Sequence, residues 1–260
     1  MGTLKNRVVV LYINKVSTRT VLDSWSFINP KLDIMQRDFN FSIGEFYHLY
    51  NRGTDKRKIF LNRQDHERFL TLLYVVNNTE VFHLSDHTNR STDEFLTLPR
   101  TETFVDIGAY CLMPNHFHLL VREKVNNGVS LFMKKLLTAY VMYFNKTHER
   151  TGALFEGRFK GKHLNTDRYL KYQFAYCHLN PVKLCDPNWR DERILNDKQT
   201  FDFLANYQYS SYQDYCGVTR GQGGIINRGA FPEYFGKGDF KESIREWLNF
   251  NTPKRVKDRP

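Results

Sequence analysis

The sequence has few cysteines, and their spacing excludes several kinds of site. Only four occur among 260 residues and none forms a C-x-x-C pair, so the pairs typical of zinc ribbons and thioredoxin-like redox motifs are missing. No secretory leader precedes them, which predicts reduced thiols in a cytoplasmic protein. The longest early apolar run, Val8 to Ile13, is far shorter than the ~20 residues of a membrane span. We therefore expect no membrane anchor.

Acidic residues are also in deficit. Lys and Arg number 38 against 28 for Asp and Glu, which gives a formal net charge of +10 and favours a polyanionic partner such as nucleic acid. Many solvated surfaces carry such an excess, so charge alone identifies no partner. Aromatic residues are abundant, with 15 Tyr and 21 Phe, and rings beside a basic surface can stack on bases.

The pattern of apolar residues predicts the order of the elements. Strands are predicted at Phe46–Tyr50, Phe104–Leu112, His116–Glu123 and Ala153–Leu164, and helices at Asn62–Asn78, Ser130–Lys146, Thr166–Leu179 and Phe240–Phe250. The first six elements read β-α-β-β-α-β, which predicts an α+β, ferredoxin-like antiparallel sheet with two helices on one face. The next helix is an addition to that unit, and a loop-rich C-terminal extension follows. The polar residues 79–101 are expected to form a long surface loop.

Two histidines mark one face of the third predicted strand. Successive side chains of a strand alternate faces, so His116 and His118 point the same way, while Phe117 and Leu119 point the other way. Two imidazoles at this spacing form a workable half of a divalent-metal site. A pair of hydrogen-bonded surface histidines beside a turn would give the same pattern, so both interpretations stay open.

The helix predicted over Thr166–Leu179 carries two separate stripes. One, formed by Leu170, Phe174 and Cys177, suits a core. The other contains Tyr169, Tyr172, Gln173, Tyr176 and Asn180. Tyrosines at helical spacing usually serve packing, but here an apolar stripe already does so. If this helix lies against the histidine strand, the phenol at 176 and the carboxamide oxygen at 180 can reach one metal centre, because residues four apart share a helix face.

Several segments resemble a known family. The run MPNHFHLLV from Met113 to Val121 resembles the HUH signature of single-tyrosine transposases, in which two histidines flank a bulky apolar residue. More narrowly, the chain resembles the REP-associated tyrosine transposases. The further matching blocks are FYHLYNRG at 46–53, Asn145 with GALFEGRF at 152–159, NTDRYLKYQFAYCHLNPVK at 165–183 and SSYQDY at 210–215. The resemblance spans roughly residues 41 to 217 and does not extend to residues 1–34.

This resemblance implies metal-dependent cleavage and rejoining of single-stranded, often hairpin-forming DNA through a 5′-phosphotyrosine. It implies that His116, His118 and Asn180 are ligands of Mg²⁺ or Mn²⁺ and that Tyr176 is the nucleophile. Tyr169 or Tyr172 takes that role if the helix register differs. The relatives include dimers and monomers, so either a monomer or a homodimer is expected. We divide the chain into an N-terminal arm at 1–40, a catalytic domain at 41–185 and a C-terminal extension at 186–260.

Other polar residues have weaker assignments. Arg122, Arg158, Lys160 and Lys162 can contact DNA phosphates, although a solvated strand edge explains them equally well. His48 and His178 are expected to pack or to form hydrogen bonds. Two other functions stay open: a DNA-binding protein that keeps the fold without transposition, and a metal-dependent nuclease that uses an activated water and no tyrosyl intermediate.

Overall fold

The sheet has four antiparallel strands. The computed structural model describes residues 40–82, 90–189, 197–233 and 240–249. The strands are β1 (Phe46–Arg52), β2 (Val105–Met113), β3 (His116–Glu123) and β4 (Lys160–His163), and their order across the sheet is β2-β3-β1-β4. Each neighbouring pair is antiparallel. Together with the β-α-β-β-α-β order along the chain, this is the ferredoxin-like arrangement, so the predicted fold class is confirmed.

Helices pack on both faces of this sheet. They are α1 (Arg63–Val75), α2 (Thr92–Phe95), α3 (Gly128–Thr147), α4 (Asp167–Leu179), α5 (Asp197–Asn206), α6 (Tyr212–Tyr215) and α7 (Phe240–Asn249). α1 and α3 bury apolar side chains such as Phe69 and Phe132 against one face, with Leu49 and Phe117 of the strands. Within the described residues no helix is both long and apolar enough to cross a membrane.

The second face carries the added elements. Leu170, Phe174 and Cys177 of α4 pack there with Leu120 and Cys111 of the sheet, so the predicted apolar stripe of α4 is confirmed as core. Aromatic residues of the C-terminal extension complete this layer: Tyr212, Phe231 and Phe240. The extension thus closes the second core rather than lying apart from it.

A tight turn and a strand-like segment define the position of β2. Met113 pairs with His116 across a two-residue turn at Pro114 and Asn115, as the composition of that segment predicts. On the outer edge of β2, backbone hydrogen bonds join the chain at 209–211 to Leu112 and Tyr110. This segment covers the edge of β2 that would otherwise stay unpaired.

Two predicted elements differ from the structure. The strand predicted over Ala153–Leu164 is shorter in the structure, where it consists of β4 alone. The earlier part of the predicted strand forms a single bridge between Phe155 and Gly53. The cause is the backbone of Gly157, whose φ of 144° is incompatible with continuous pairing. The loop predicted at 79–101 contains α2, which a capping box between Ser91 and Glu94 initiates.

Part of the predicted organisation lies outside the described residues. This holds for 1–39 of the predicted N-terminal arm and for 83–89 of the predicted loop. The division of the chain into three domains stays a prediction. All four cysteines are free thiols, as the sequence indicates.

Candidate active site

The candidate site lies on the sheet face that α4 covers. In the antiparallel register of β1 and β3, Tyr50 pairs with His118 and His48 pairs with Leu120. His48 and His118 are therefore diagonal neighbours on one face, at a separation that long side chains can bridge. α4 lies over this face, where the Cys177 thiol is 4.0 Å from the carbonyl oxygen of His118.

The two predicted ligand histidines lie side by side. The rings of His116 and His118 have centroids 4.9 Å apart and are nearly perpendicular. Nδ1 of His116 is 2.6 Å from the side-chain oxygen of Asn115, whose amide nitrogen donates to the carbonyl oxygen of Lys56. Because an amide oxygen only accepts, a neutral His116 carries its proton on Nδ1 and has its lone pair on Nε2.

A third histidine, His48, contacts His118 directly. Nε2 of His48 is 2.8 Å from Nδ1 of His118, and the two rings are stacked with centroids 5.0 Å apart. His48 is only 5% exposed. Burial, together with the positive charge of Lys162, lowers the pKa of His48 to about 3, so this ring is neutral near pH 7.

Tyr176 of α4 reaches the same cluster. Its ring packs edge-on against His118, with centroids 5.5 Å apart, and against His48 at 6.2 Å. The alternatives lie differently: the ring of Tyr172 stacks on Tyr176 and contacts Trp247. The hydroxyl of Tyr169 has a hydrogen bond with Gln173 and a pKa raised mainly by burial. Of the three candidate tyrosines, Tyr176 is the one whose ring contacts His118.

Asn180 directly follows α4 and is fully buried. Its amide nitrogen donates to the carbonyl oxygen of Tyr176 at 3.1 Å. Its side-chain oxygen accepts no hydrogen bond from any residue that the structure describes, which is costly for a buried acceptor unless another group binds it. Imidazole nitrogens and amide oxygens both serve as ligands of divalent cations. His116, His118 and Asn180 therefore offer donor atoms of the types that a divalent cation binds.

The candidate metal site lacks a third histidine, thiol or carboxylate ligand among the described residues. Across the described parts of the chain, no cluster of three or more His, Cys, Asp or Glu side chains has a geometry suited to a metal ion.

Two of the four predicted DNA contacts flank the histidines. Across β1 and β4, Lys162 pairs with His48 and Lys160 pairs with Tyr50, which places both lysines on the histidine face. Both are exposed, and neither has an ion pair with a described residue. These two lysines are therefore open to an anionic ligand.

The other two predicted DNA contacts differ from each other. Arg158 is exposed in the segment before β4. The guanidinium of Arg122 instead donates twice to Asp106, at 2.8 and 3.1 Å, and Asp106 is only 3% exposed. This buried partner engages Arg122 and makes it the weakest of the four candidates.

His178 behaves as the sequence predicts. Its Nδ1–H donates to the carbonyl oxygen of Phe174, and its Nε2 accepts from the hydroxyl of Ser211. Burial lowers the pKa of His178 to about 3. This histidine packs and joins α4 to the C-terminal extension, with no part in the cluster around His118.

Sequence reasoning missed the partners of the two candidate ligands. The composition around Asn115 predicts only a turn, and the position of His48 predicts packing or a hydrogen bond without identifying its partner. Alternation along β1 puts His48 and Tyr50 on one face, which is a readable signal. The register that places His48 beside His118 on this face depends on the pairing of β1 with β3, which the sequence alone does not specify.

Comparison with known proteins gives one family match and one similar solved structure. Residues 73–174 match the model of a family described as "Transposase IS200 like", which is the broader group of the transposases that the sequence resembles. The fold is similar to a solved structure described as "Structure of the REP associates tyrosine transposase bound to a REP hairpin". The sequence identity is 11%, the TM-score is 0.44, and the match covers 76% of this chain and 88% of that chain. No curated protein sequence matches significantly.

Proposed function

We propose that this chain cleaves and rejoins single-stranded, hairpin-forming DNA through a covalent bond to Tyr176. The match of residues 73–174 to the family of IS200-like transposases supports this proposal. One observation carries this proposal: the ring of Tyr176 lies 5.5 Å from that of His118, centroid to centroid. A nucleophile and a set of donors suited to a cation thereby share one face of the sheet. We also propose that the protein acts in the cytoplasm.

The chemistry requires activation of a poor nucleophile. A free phenol has a pKa of about 10, so little phenolate exists at neutral pH. A bound Mg²⁺ or Mn²⁺ would polarise the phosphodiester and offset the charge that develops on its oxygens. His116, His118 and Asn180 would hold that ion, and α4 positions Tyr176 beside them.

The proposed step exchanges one phosphoester for another. The phenolic oxygen of Tyr176 forms a bond to phosphorus, and the bond from phosphorus to the 3′-oxygen breaks. The phenol loses one proton and the leaving 3′-oxygen gains one, so atoms and charge balance. The 5′-phosphate stays on the tyrosine, and because the new ester conserves the bond energy, a 3′-hydroxyl of a second strand can reverse the step without a nucleotide cofactor.

The surroundings suit a DNA strand. Lys160 and Lys162 lie on the histidine face and would neutralise phosphates next to the scissile one. The ring of Tyr172, 37% exposed and stacked on Tyr176, would offer a surface for an unpaired base. Arg158 would add a further phosphate contact. The three basic residues would hold the backbone of the strand, and the ring of Tyr172 favours bases that are not paired.

The proposal is tested with end-labelled hairpin oligonucleotides carrying single-stranded flanks, incubated with the protein and Mg²⁺ or Mn²⁺. On a denaturing gel the wild type is expected to give a band shifted by the mass of the protein. Tyr176→Phe removes the attacking oxygen but keeps the ring, so the adduct should fall by roughly 10³-fold or more. Tyr172→Phe, a matched change on the same helix face, should keep most of it.

The same experiment separates the alternative functions. A nuclease that uses an activated water would continue to cut DNA after Tyr176→Phe, and its products would carry no protein. A DNA-binding protein without transposition would bind the hairpin and give neither adduct nor cleavage. Either result would contradict the proposed covalent mechanism.

A further inference from the structure

We propose that His48 is a positioning residue that holds His118 in the tautomer able to bind a divalent cation. The inference rests on the proposed function only in assuming that His118 is a metal ligand. It assigns His48 no contact with the ion or with DNA. Its role is to accept a hydrogen bond from Nδ1–H of His118, which keeps the proton of that ring away from the ligand nitrogen Nε2.

The geometry of the two rings leads to this role. Nε2 of His48 and Nδ1 of His118 are 2.8 Å apart, so one proton lies between them. A cation bound at Nε2 of His118 requires a lone pair on that nitrogen, which places the ring's proton on Nδ1. In that tautomer His118 donates and His48 accepts. A partner on the second ring nitrogen is the usual arrangement for a metal-binding histidine, and it orients the ring.

The state of His48 is compatible with accepting. The ring is buried under α4 and beside β4, and the charged group facing it from β4 is Lys162. A neutral imidazole has one N–H and one lone pair, so His48 accepts at Nε2 when its own proton is on Nδ1. Its Nδ1 has no hydrogen-bond partner among the described residues. No described group therefore holds the proton of His48 on Nε2, and this nitrogen can accept the hydrogen bond from His118.

His116 shows the same arrangement through a different residue. Its Nδ1 donates to the side-chain oxygen of Asn115, and Lys56 fixes the orientation of that amide through its carbonyl oxygen. Both candidate ligand rings thus have an acceptor at Nδ1, which makes Nε2 the ligand nitrogen in each. His48 thus accepts a hydrogen bond from Nδ1 of His118, as Asn115 does from Nδ1 of His116.

The test measures metal binding without DNA and without turnover. Mn²⁺ is titrated into the wild type, His48→Leu and His48→Gln, and the free ion is followed by electron paramagnetic resonance. His48→Leu keeps the volume of the side chain but has no acceptor, and its affinity for Mn²⁺ should fall by about 10- to 100-fold. The carboxamide oxygen of Gln reaches near the position of Nε2, so His48→Gln should stay within a few-fold of the wild type.

A second readout reports the tautomer itself. In protein with ¹⁵N-labelled histidine and Mg²⁺, His118 should carry its proton on Nδ1 in the wild type and exchange between both nitrogens in His48→Leu. Metal-free melting temperatures control for loss of fold, and His48→Gln keeps the test valid if His48→Leu unfolds.

Failure of the inference and failure of the proposed function have different signatures. If His48→Leu folds and binds Mn²⁺ as tightly as the wild type while His116→Ala binds it weakly, the inference is overturned. The same holds if His48→Gln loses as much affinity as His48→Leu. If metal binding depends on His48 but the wild type forms no adduct with DNA, the inference stands and the covalent mechanism is wrong. Tyr176→Phe should bind Mn²⁺ normally.

Discussion

Two histidines in this protein are neutral for the same reason and have different roles. Burial lowers the pKa of both His48 and His178 to about 3. His178 bonds a backbone carbonyl of α4 and the hydroxyl of Ser211, so its polar atoms are fully used in joining parts of the fold. His48 bonds the ring of His118, so its tautomer is coupled to whatever that ring binds.

The depressed pKa of His178 predicts a pH dependence of stability. The unfolded chain protonates this ring near pH 6.5, whereas the folded chain does so only near pH 3. Between these values unfolding takes up a proton. The contribution of His178 to the free energy of unfolding is therefore fully present above pH 6.5 and falls as the pH is lowered, by about 1.4 kcal/mol per pH unit.

Urea denaturation at several pH values measures this effect. His178→Gln cannot take up that proton, so its free energy of unfolding should fall less steeply between pH 6 and pH 4 than that of the wild type. It should be less stable at pH 7, by about 1–3 kcal/mol, because a buried bond is lost. Equal slopes for both proteins would show that His178 does not titrate as proposed.

The residues of the candidate site differ in how far the sequence alone identifies them. Alternation along β3 and the helical stripe of α4 correctly place His116, His118 and Tyr176, because both patterns depend only on local geometry. The partnership of His48 with His118 depends on the register between β1 and β3, a property of the folded sheet. The engagement of Arg122 by Asp106 is likewise a contact between strands that no local pattern shows.

At the scale of elements, local signals predict the helices better than the edge strand. α1 begins after Asn62, whose side chain accepts from the backbone of Asp65, and α4 begins after Thr166 in the same way. Both starts follow from the residue types. The aromatic and basic composition of residues 153–164 is that of a strand, and it predicts a longer β4. The backbone at Gly157 interrupts continuous pairing with β1, so β4 is shorter than predicted.

The position of β4 beside the histidines predicts a change in DNA binding. In the double variant Lys160→Ala/Lys162→Ala, the slope of log affinity against log salt concentration should decrease by roughly 1 to 1.5, because two phosphate contacts are lost. Fluorescence anisotropy with a single-stranded oligonucleotide at several salt concentrations measures the slope. An unchanged slope would exclude β4 from the DNA interface.

Arg122→Ala serves as a contrast. It also removes one positive charge, but it leaves Asp106 with Asn227 as a partner and without its ion pair. Since the Arg122 side chain is 36% exposed, we expect a modest loss of about 1–2 kcal/mol in stability. The salt slope should stay near that of the wild type. A fall in the slope with no loss of stability would instead identify Arg122 as a DNA contact.

At the scale of the whole molecule, the C-terminal extension is part of the folded unit. The hydroxyl of Ser211 bonds His178 of α4, and Arg220 forms a nearly buried ion pair with Asp214. Phe231 packs so closely over Gly108 of β2 that a Cβ atom there would lie 2.6 Å from its ring. Apart from the helix predicted at Phe240–Phe250, the sequence indicates only loops in this region, because the order of the region depends on contacts with distant parts of the chain.

Truncation tests this dependence. A chain that ends at residue 206 lacks the aromatic residues that cover the second face of the sheet, so it should be insoluble or show no cooperative thermal transition. A chain that begins at residue 40 keeps every described element and should melt cooperatively. Circular dichroism during heating measures both. A stable, cooperatively melting chain ending at 206 would show that the extension is a separate addition.

The covalent bond to Tyr176 is the claim on which the function depends, and tandem mass spectrometry tests it most directly. The wild-type protein is reacted with a hairpin oligonucleotide and Mn²⁺, the DNA is digested to the linked nucleotide, and the peptides are sequenced. We expect a nucleoside 5′-phosphate on Tyr176, in the tryptic peptide that also contains Tyr172. A nucleotide on Tyr172 or Tyr169, or no modified tyrosine despite cleaved DNA, would contradict the proposed mechanism.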